Sequence, residues 1–355
     1  DASDPAVRKL YANDAYTNGD VYCSVVGNST NTGTSADSPL LSVSEIIANH
    51  NPRGLDTIYV DTGVYTDQIT LRATNSGSAL TGYLTIQGSP NRLAGGTLIR
   101  RDGTGNGLDI QGVKYLKVRD LRIENATNGV YMSDAGGTSS NLRFERVACI
   151  SNRVSGFDVN GSSAVAMDGC VAAWNKTYGV KAWLHSVAWG NGVLWENGTG
   201  LYSHDPVTFS NSVIRQTNGA AYAGYLNNIG NISGDYNVFD LGPNASFAGT
   251  TIPKLADYQK AYNRDWHSAA LPADLSVTNW CDFHPLSTTR RFDVVGGTWV
   301  TDMVHSACID LGDPALPFGS EPAPNGGRRN VGAYGGTEEA SKSRTGPWLL
   351  ALTYN

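Results

Sequence analysis

One short phrase recurs through the middle of this 355-residue chain. It is a Gly, an apolar residue, an outward residue, an apolar residue and a second outward residue. It reads Gly107-Leu108-Asp109-Ile110-Gln111, Gly129-Val130-Tyr131-Met132-Ser133, Gly156-Phe157-Asp158-Val159-Asn160, Gly179-Val180-Lys181-Ala182-Trp183 and Gly200-Leu201-Tyr202-Ser203-His204. A weaker copy, Ala220-Ala221-Tyr222-Ala223-Gly224, follows. Lead residues at 107, 129, 156, 179, 200 and 220 give intervals of 22, 27, 23, 21 and 20. The long interval holds an insertion, Asp134 to Ser140, that reads as a loop. A strand-bearing period of about 20–25 residues predicts a solenoid, in which each coil buries its apolar face only against its neighbours. The alternation puts one face of each strand inside and leaves the other wet.

By length alone the chain could hold two domains, but the repeat argues for one elongated unit. Charged residues are 16% of the chain, against about 25% in an ordinary globular protein, and there are 41 glycines. Such a composition suits tight turns and strands. A net charge of −6 gives no reason to expect nucleic acid or an anionic membrane as partner. No run approaches the ~20 apolar residues of a membrane span. Asp1-Ala2-Ser3-Asp4 reads as the start of a mature chain rather than a signal peptide. Cys23, Cys149, Cys170, Cys281 and Cys308 show no metal-ligand spacing. Cys149 and Cys170 lie one coil apart but two positions out of line, and are read as free thiols.

Taken in order, residues 1–55 are expected to form an N-terminal strand, a loop and a capping helix. Ser42-Val43-Ser44-Glu45 is a capping box ahead of Ile46-Ile47-Ala48-Asn49-His50. Such a helix would plug the open end of a solenoid. Regular coils are expected over 56–245, irregular last coils and a cap over 246–340, and a linker or tail over 341–355. Lys254 to Arg264 reads as a helix on the flank. Short strands at this spacing, joined by Asn/Gly turns, fit stacked parallel strands better than successive hairpins. Asn125, Asn152, Asn175 and Asn197 recur at one corner and read as an asparagine ladder.

The opening Asp56-Thr57-Ile58-Tyr59-Val60 with Gly63-Val64-Tyr65, the coil phrases, and the late Cys308-Ile309-Asp310-Leu311-Gly312-Asp313 and Asn330-Val331-Gly332-Ala333-Tyr334-Gly335 segments carry a resemblance. The chain resembles the right-handed parallel β-helix repeat proteins, pectate-lyase-like and other secreted bacterial carbohydrate-active proteins, over roughly residues 20–340. The resemblance implies an all-β, right-handed parallel β-helix, a secreted or cell-surface location and a polysaccharide partner. It leaves the activity open, because this fold hosts lyases, hydrolases, epimerases and adhesins. Further domains of the same polypeptide are also compatible with it.

Stacking at about 4.8 Å per coil turns the phrase into two outward columns. The first is Asp109, Tyr131, Asp158, Lys181, Tyr202, Tyr222; the second is Gln111, Ser133, Asn160, Trp183, His204, Gly224. Aromatic faces stack on sugar rings and polar groups fix hydroxyls or carboxylates. Asp158, Lys181, Tyr202 and His204 are the catalytic candidates, and Asp109, Tyr131, Asn160, Trp183 and Tyr222 the substrate-binding ones. A lyase needs a base, an acid and a neutraliser of the uronate carboxylate. Asp158 beside Lys181 favours the ammonium, and Lys181 beside Tyr202 favours the phenolate. A hydrolase needs two carboxylates. Asp109 and Asp158, two rungs or roughly 9–10 Å apart, sit near the upper end of the inverting range, about 6.5–9.5 Å; Glu196 and Asp205 are further candidates. The third reading is a non-catalytic adhesin or structural module, with the columns as an ordinary sheet surface. Ca²⁺ is the candidate cofactor, through Asp102, Asp120, Asp134 and Asp168 in turns, residues equally suited to forming the turns themselves. His185 reads as surface, His267 and His284 as partners of backbone groups, and Arg328-Arg329 as solvated.

Overall fold

The computed structural model describes residues 7–183, 186–224, 229–247, 252–277 and 282–345. His185, Cys281 and the chain after 345 lie outside them. The phrase does what its alternation requires. In one rung, Ser155–Asn160 pairs in parallel with Asn128–Ser133 below and Tyr178–Trp183 above. Three such faces alternate along the chain. The fifth coil, for example, is Ser162–Asp168, Val171–Ala173 and Tyr178–Trp183. About eight coils build a right-handed parallel β-helix. The first face is a nine-stranded parallel sheet that begins with Lys9–Ala12.

Inside, Trp189 stacks on its register partner Phe209 at 5.9 Å, and Phe157, from another face, meets Phe144 and Trp189 edge-on at 6.1 and 5.7 Å. The lead glycines are set by close approach. A Cβ on Gly129, Gly156 or Gly179 would stand 2.6 to 2.7 Å from the carbonyl oxygen of the next coil's lead glycine, and one on Gly200 would stand 2.7 Å from the carbonyl oxygen of Ala221. At the corner between second and third faces the asparagine ladder forms. Asn152 Nδ2 donates to Asn175 Oδ1 and Asn175 Nδ2 to Asn197 Oδ1, both at 2.9 Å. Asn125 is not in it. Ala126 holds the equivalent place, with its N–H on Asn152 Oδ1, while Asn125 occupies the left-handed turn position at φ 53°.

The N-terminal end is closed by helix α1, Val43–His50. Its Val43 and Ile46 enter the core, and Ser42 Oγ caps the Glu45 N–H at 3.2 Å. At the other end helix α2, Leu255–Tyr262, lies over the last coil rather than on its flank. Tyr258 stacks on Phe247 at 4.7 Å and packs edge-on against Tyr222.

Beyond Ala269–Ala270 the described residues add no further parallel strand to the coils. The chain runs back along the outside of the second face. Ile150, Val171, Val193, Val213 and Val238 face outward there, yet are buried by Leu275, Phe283, Cys308, Val331 and Tyr334. Contacts of this layer reach from Asn211, which accepts from the Asp313 N–H, to Arg92, paired with Glu339 at 3.0 Å. Residues 341–343 belong to the layer and not to a linker: Ser341 Oγ donates to Pro285 O, and Lys342 N to Arg290 O. Cys170 and Cys308 are buried free thiols, Cys23 is a half-buried one, and Cys149 is buried.

Candidate functional site

Register places the first column as expected through five rungs. Asp109, Tyr131, Asp158, Lys181 and Tyr202 follow one another, with Thr70 ahead of them. The column ends on Ala223, not Tyr222. Ala223 pairs with Tyr202, and Tyr222 pairs with Leu201. The corner before the last copy holds one more residue than its neighbour, because Val193 pairs with Val213 but Thr199 with Ala220. A slip of one residue turns a strand's side chains over. Tyr222 is therefore 0% exposed, among Phe209, Phe239 and Phe247, and cannot be a binding residue.

Asp158 is 4% exposed and its Oδ2 accepts from Lys181 Nζ at 3.2 Å. Burial pushes its carboxyl above the usual range, against the pull of Lys181. Asp158 Oδ1 is buried with no protein partner, as is Asp109 Oδ1. Asp109 is also buried, its Oδ2 at 3.5 Å from Gln68 Nε2. On the other side of Lys181 the rings gather. Tyr202 stacks parallel to Trp183, at 6.3 Å and 4°, and lies 5.2 Å from Tyr178. Trp183 in turn lies 4.7 Å from His204, whose Nδ1 is 2.9 Å from Asp205 Oδ2. Asn160 pairs with Trp183 in register. Thus Asp158, Lys181, Tyr202, Trp183 and His204 form one group, Tyr178 joins it, and Asp109, Tyr131 and Asn160 continue the strip toward the N-terminal end. Tyr178 stands just before the phrase, which is why the phrase did not mark it.

Around the corner from His204, a trough of about 500 Å³ crosses the first face. Its floor is the column Ala166, Ala188, Thr208, Ser233, and Arg143 heads that column. Tyr83, beneath the Arg143 guanidinium at 4.9 Å, and Arg264 complete its ends. Among the described residues no carboxylate lines it. The small floor is written in Leu142-Arg143-Phe144, Val165-Ala166-Met167, Val187-Ala188-Trp189 and Val207-Thr208-Phe209, once those strands are aligned.

The four turn aspartates do not gather. Asp102 accepts from the Thr104 N–H and hydroxyl, Asp120 takes both nitrogens of Arg146 at 2.6 and 2.8 Å, and Asp168 accepts from Asn191. Asp134 accepts through its carbonyl from Gly137 N. Among the described residues no three His, Cys, Asp or Glu side chains are grouped to hold a metal. His267 and His284 pair with carboxylates, Asp235 and Asp282, rather than with backbone. Arg328 and Arg329 donate to main-chain carbonyls. No helix among the described residues is long and apolar enough to cross a membrane.

Residues 58–194 match the model of the right handed beta helix region. A pectate lyase, PEL9 of Emericella nidulans, is 31% identical to this chain over 156 residues. That match covers 41% of this chain and spans only about a third, 36%, of the relative. The crystal structure of pectate lyase Pel9A is similar at 16% identity with a TM-score of 0.49, over 92% of this chain and 97% of that one.

Proposed function

We propose, for a chain whose coils carry a right-handed β-helix region of the pectate-lyase-like kind, that it is an extracellular lyase-type enzyme acting on an acidic polysaccharide. The observation that carries the reading is the trough: among the described residues two arginines, a tyrosine, amides and hydroxyls line it without one carboxylate, in a chain of net charge −6. Such a lining is complementary to a polyanion and suits sugar hydroxyls. The similarity to a pectate lyase over 156 residues supports the same class of reaction.

The chemistry is assigned to the group beside the trough. β-Elimination removes the proton on the carbon next to the uronate carboxylate. Its electrons become a double bond, and the glycosidic oxygen leaves with a proton; no water is consumed. The Lys181 ammonium, oriented by Asp158, offsets the negative charge that gathers on the carboxylate. Tyr202 is placed as the base, and His204, oriented by Asp205, as the acid for the leaving oxygen. Trp183 and Tyr178 supply the stacking faces.

The test is the ultraviolet absorbance of unsaturated uronate on incubation with pectate, alginate, glycosaminoglycans and ulvan, with and without Ca²⁺. The reading expects a rise with one of them that is lost in Lys181→Ala/Tyr202→Phe. Reducing-sugar release without the absorbance would instead favour a hydrolase using Asp109 and Asp158. Binding without either product would leave a non-catalytic glycan-binding module.

A further inference from the structure

Two carboxylates in the outer C-terminal layer are poorly served by their surroundings. Glu321 is 5% exposed. Its Oε1 accepts from the N–H groups of Asn330 and Gly336, at 2.8 and 2.7 Å, but Oε2 is buried with no partner. Asp310 Oδ1 accepts from Ser343 Oγ at 2.8 Å, and Oδ2 is likewise buried and unpartnered. The two belong to one knot of chain. Asn330 gives its N–H to Glu321 and takes the Asp310 N–H on its Oδ1 at 2.9 Å. Asn325 Nδ2 donates to Glu321 O, and Ser343 N to Pro324 O. Gly326 lies directly against the orphaned oxygen, since a Cβ there would stand 2.3 Å from Asp310 Oδ2.

Cations are near, yet turned away. Arg328 gives Nε and Nη2 to the carbonyls of Gly312 and Leu311, and Arg329 gives Nε to Pro317 O. Burying a carboxylate oxygen without a partner costs about 1–3 kcal/mol or more, and two like charges add to that cost. Burial pushes Glu321 up to about 7 and Asp310 to about 6. A full charge placed between them would remove the penalty.

We propose that Asp310 and Glu321 hold a hard divalent cation of the Ca²⁺ class, which ties the 310–330 loop to the segment at 341–343 and so fastens the outer layer. The two side-chain donors are carboxylates, without imidazole or thiolate, and that selects Ca²⁺ over Zn²⁺. Water would supply the rest of the usual six to eight oxygens. The site is remote from the strip in sequence and role, and the proposal does not rest on the lyase reading.

The test is thermal unfolding of the purified chain in EDTA and in CaCl₂ at about 1 mM, a concentration in the range of extracellular Ca²⁺ modules, with calorimetric titration of CaCl₂ alongside. The expected result is a midpoint about 2–4 °C higher with Ca²⁺ and one saturable binding event. Glu321→Gln and, separately, Asp310→Asn should abolish both, while Lys181→Ala keeps them. Glu321→Gln should also be at least as stable as the parent in EDTA, because its orphaned charge is gone. The absence of both shift and heat in the parent chain, or a shift that survives in Glu321→Gln and in Asp310→Asn alike, would overturn the proposal.

Discussion

Lys181 Nζ lies 3.2 Å from Asp158 Oδ2, one rung away, and donates a hydrogen bond to this carboxylate, which is only 4% exposed. Removing it leaves a charge buried between strands. Lys181→Met is expected to cost roughly 2 kcal/mol; breaking a fully buried pair costs about 3–5, and the Lys181 side chain keeps some contact with solvent. Lys181→Met/Asp158→Asn should recover most of the loss. Urea unfolding of the three variants measures the coupling directly. A double variant as unstable as the single one would mean that the pair does not interact.

The ladder gives a contrast between two asparagines. Asn175 Nδ2 donates to Cys149 O and Asn197 Oδ1, and its Oδ1 accepts from Asn152 N and Nδ2, all between 2.9 and 3.0 Å. Asn175→Ala strands several buried groups and should cost roughly 3 kcal/mol or more. Asn125 makes one exposed bond, to Arg101 O, from a left-handed turn. Asn125→Gly should stay within about 0.5 kcal/mol of the parent. Equal losses in denaturant titrations would refute the placement of Asn125 outside the ladder.

Tyr222 tests the register slip. Its hydroxyl is buried without a partner among aromatic rings. Tyr222→Phe removes that hydroxyl and keeps the ring, so stability should be unchanged or higher by up to about 1 kcal/mol, and polysaccharide binding should not move. Tyr222→Ala should cost about 3–5 kcal/mol. A binding defect in Tyr222→Phe would return this residue to the surface.

These contrasts show where the sequence was legible. From 107 to 204 the alternation fixes which side chains share a column, because each lead glycine is held by a carbonyl of the next coil. At 219–224 the same letters repeat, but the corner has grown by one residue, and nothing in the composition of Ala220–Gly224 reveals it. The outer layer was missed for another reason. Val171-Ala172-Ala173 and Val193-Leu194 are apolar on both sides, which is the mark of a strand covered on both faces. The repeated phrase marks only the inner one. Tyr83, Arg143 and Arg264 come together through coils far apart in the chain, and no local pattern announces that.

The trough predicts salt-dependent binding. Arg143 is exposed, and its guanidinium lies over the face of Tyr83. Arg143→Ala should leave the unfolding midpoint within about 1 °C, since surface changes are usually within 0.5 kcal/mol. It should weaken capture of an acidic polysaccharide by about tenfold at low ionic strength, and less as salt screens the parent's own charges. Binding unaffected at any salt would mean that the polymer does not lie there.

Asp265 sets the pH response at the C-terminal end. It is 1% exposed, and its Oδ1 accepts from Asn237 Nδ2 at 2.9 Å and Ser268 Oγ at 2.6 Å, while Oδ2 has no partner. Burial first, with the nearby Asp235 adding to it, pushes this carboxyl from 3.8 to about 6. The folded chain thus holds the proton more tightly than the unfolded one. The stabilisation is full below about pH 4 and is lost as pH rises to about 6, by roughly 3 kcal/mol at 1.36 kcal/mol per unit. Carboxylates held low, such as Asp120 and Glu196, act in the opposite sense and at more acid pH, so the useful quantity is the difference from a variant. Asp265→Asn cannot titrate. The parent-minus-variant stability, from urea unfolding at pH 4, 5, 6 and 7.5, should fall across the first three values and then level off. A difference that rises with pH would mean that Asp265 is charged in the fold and finds a cation there.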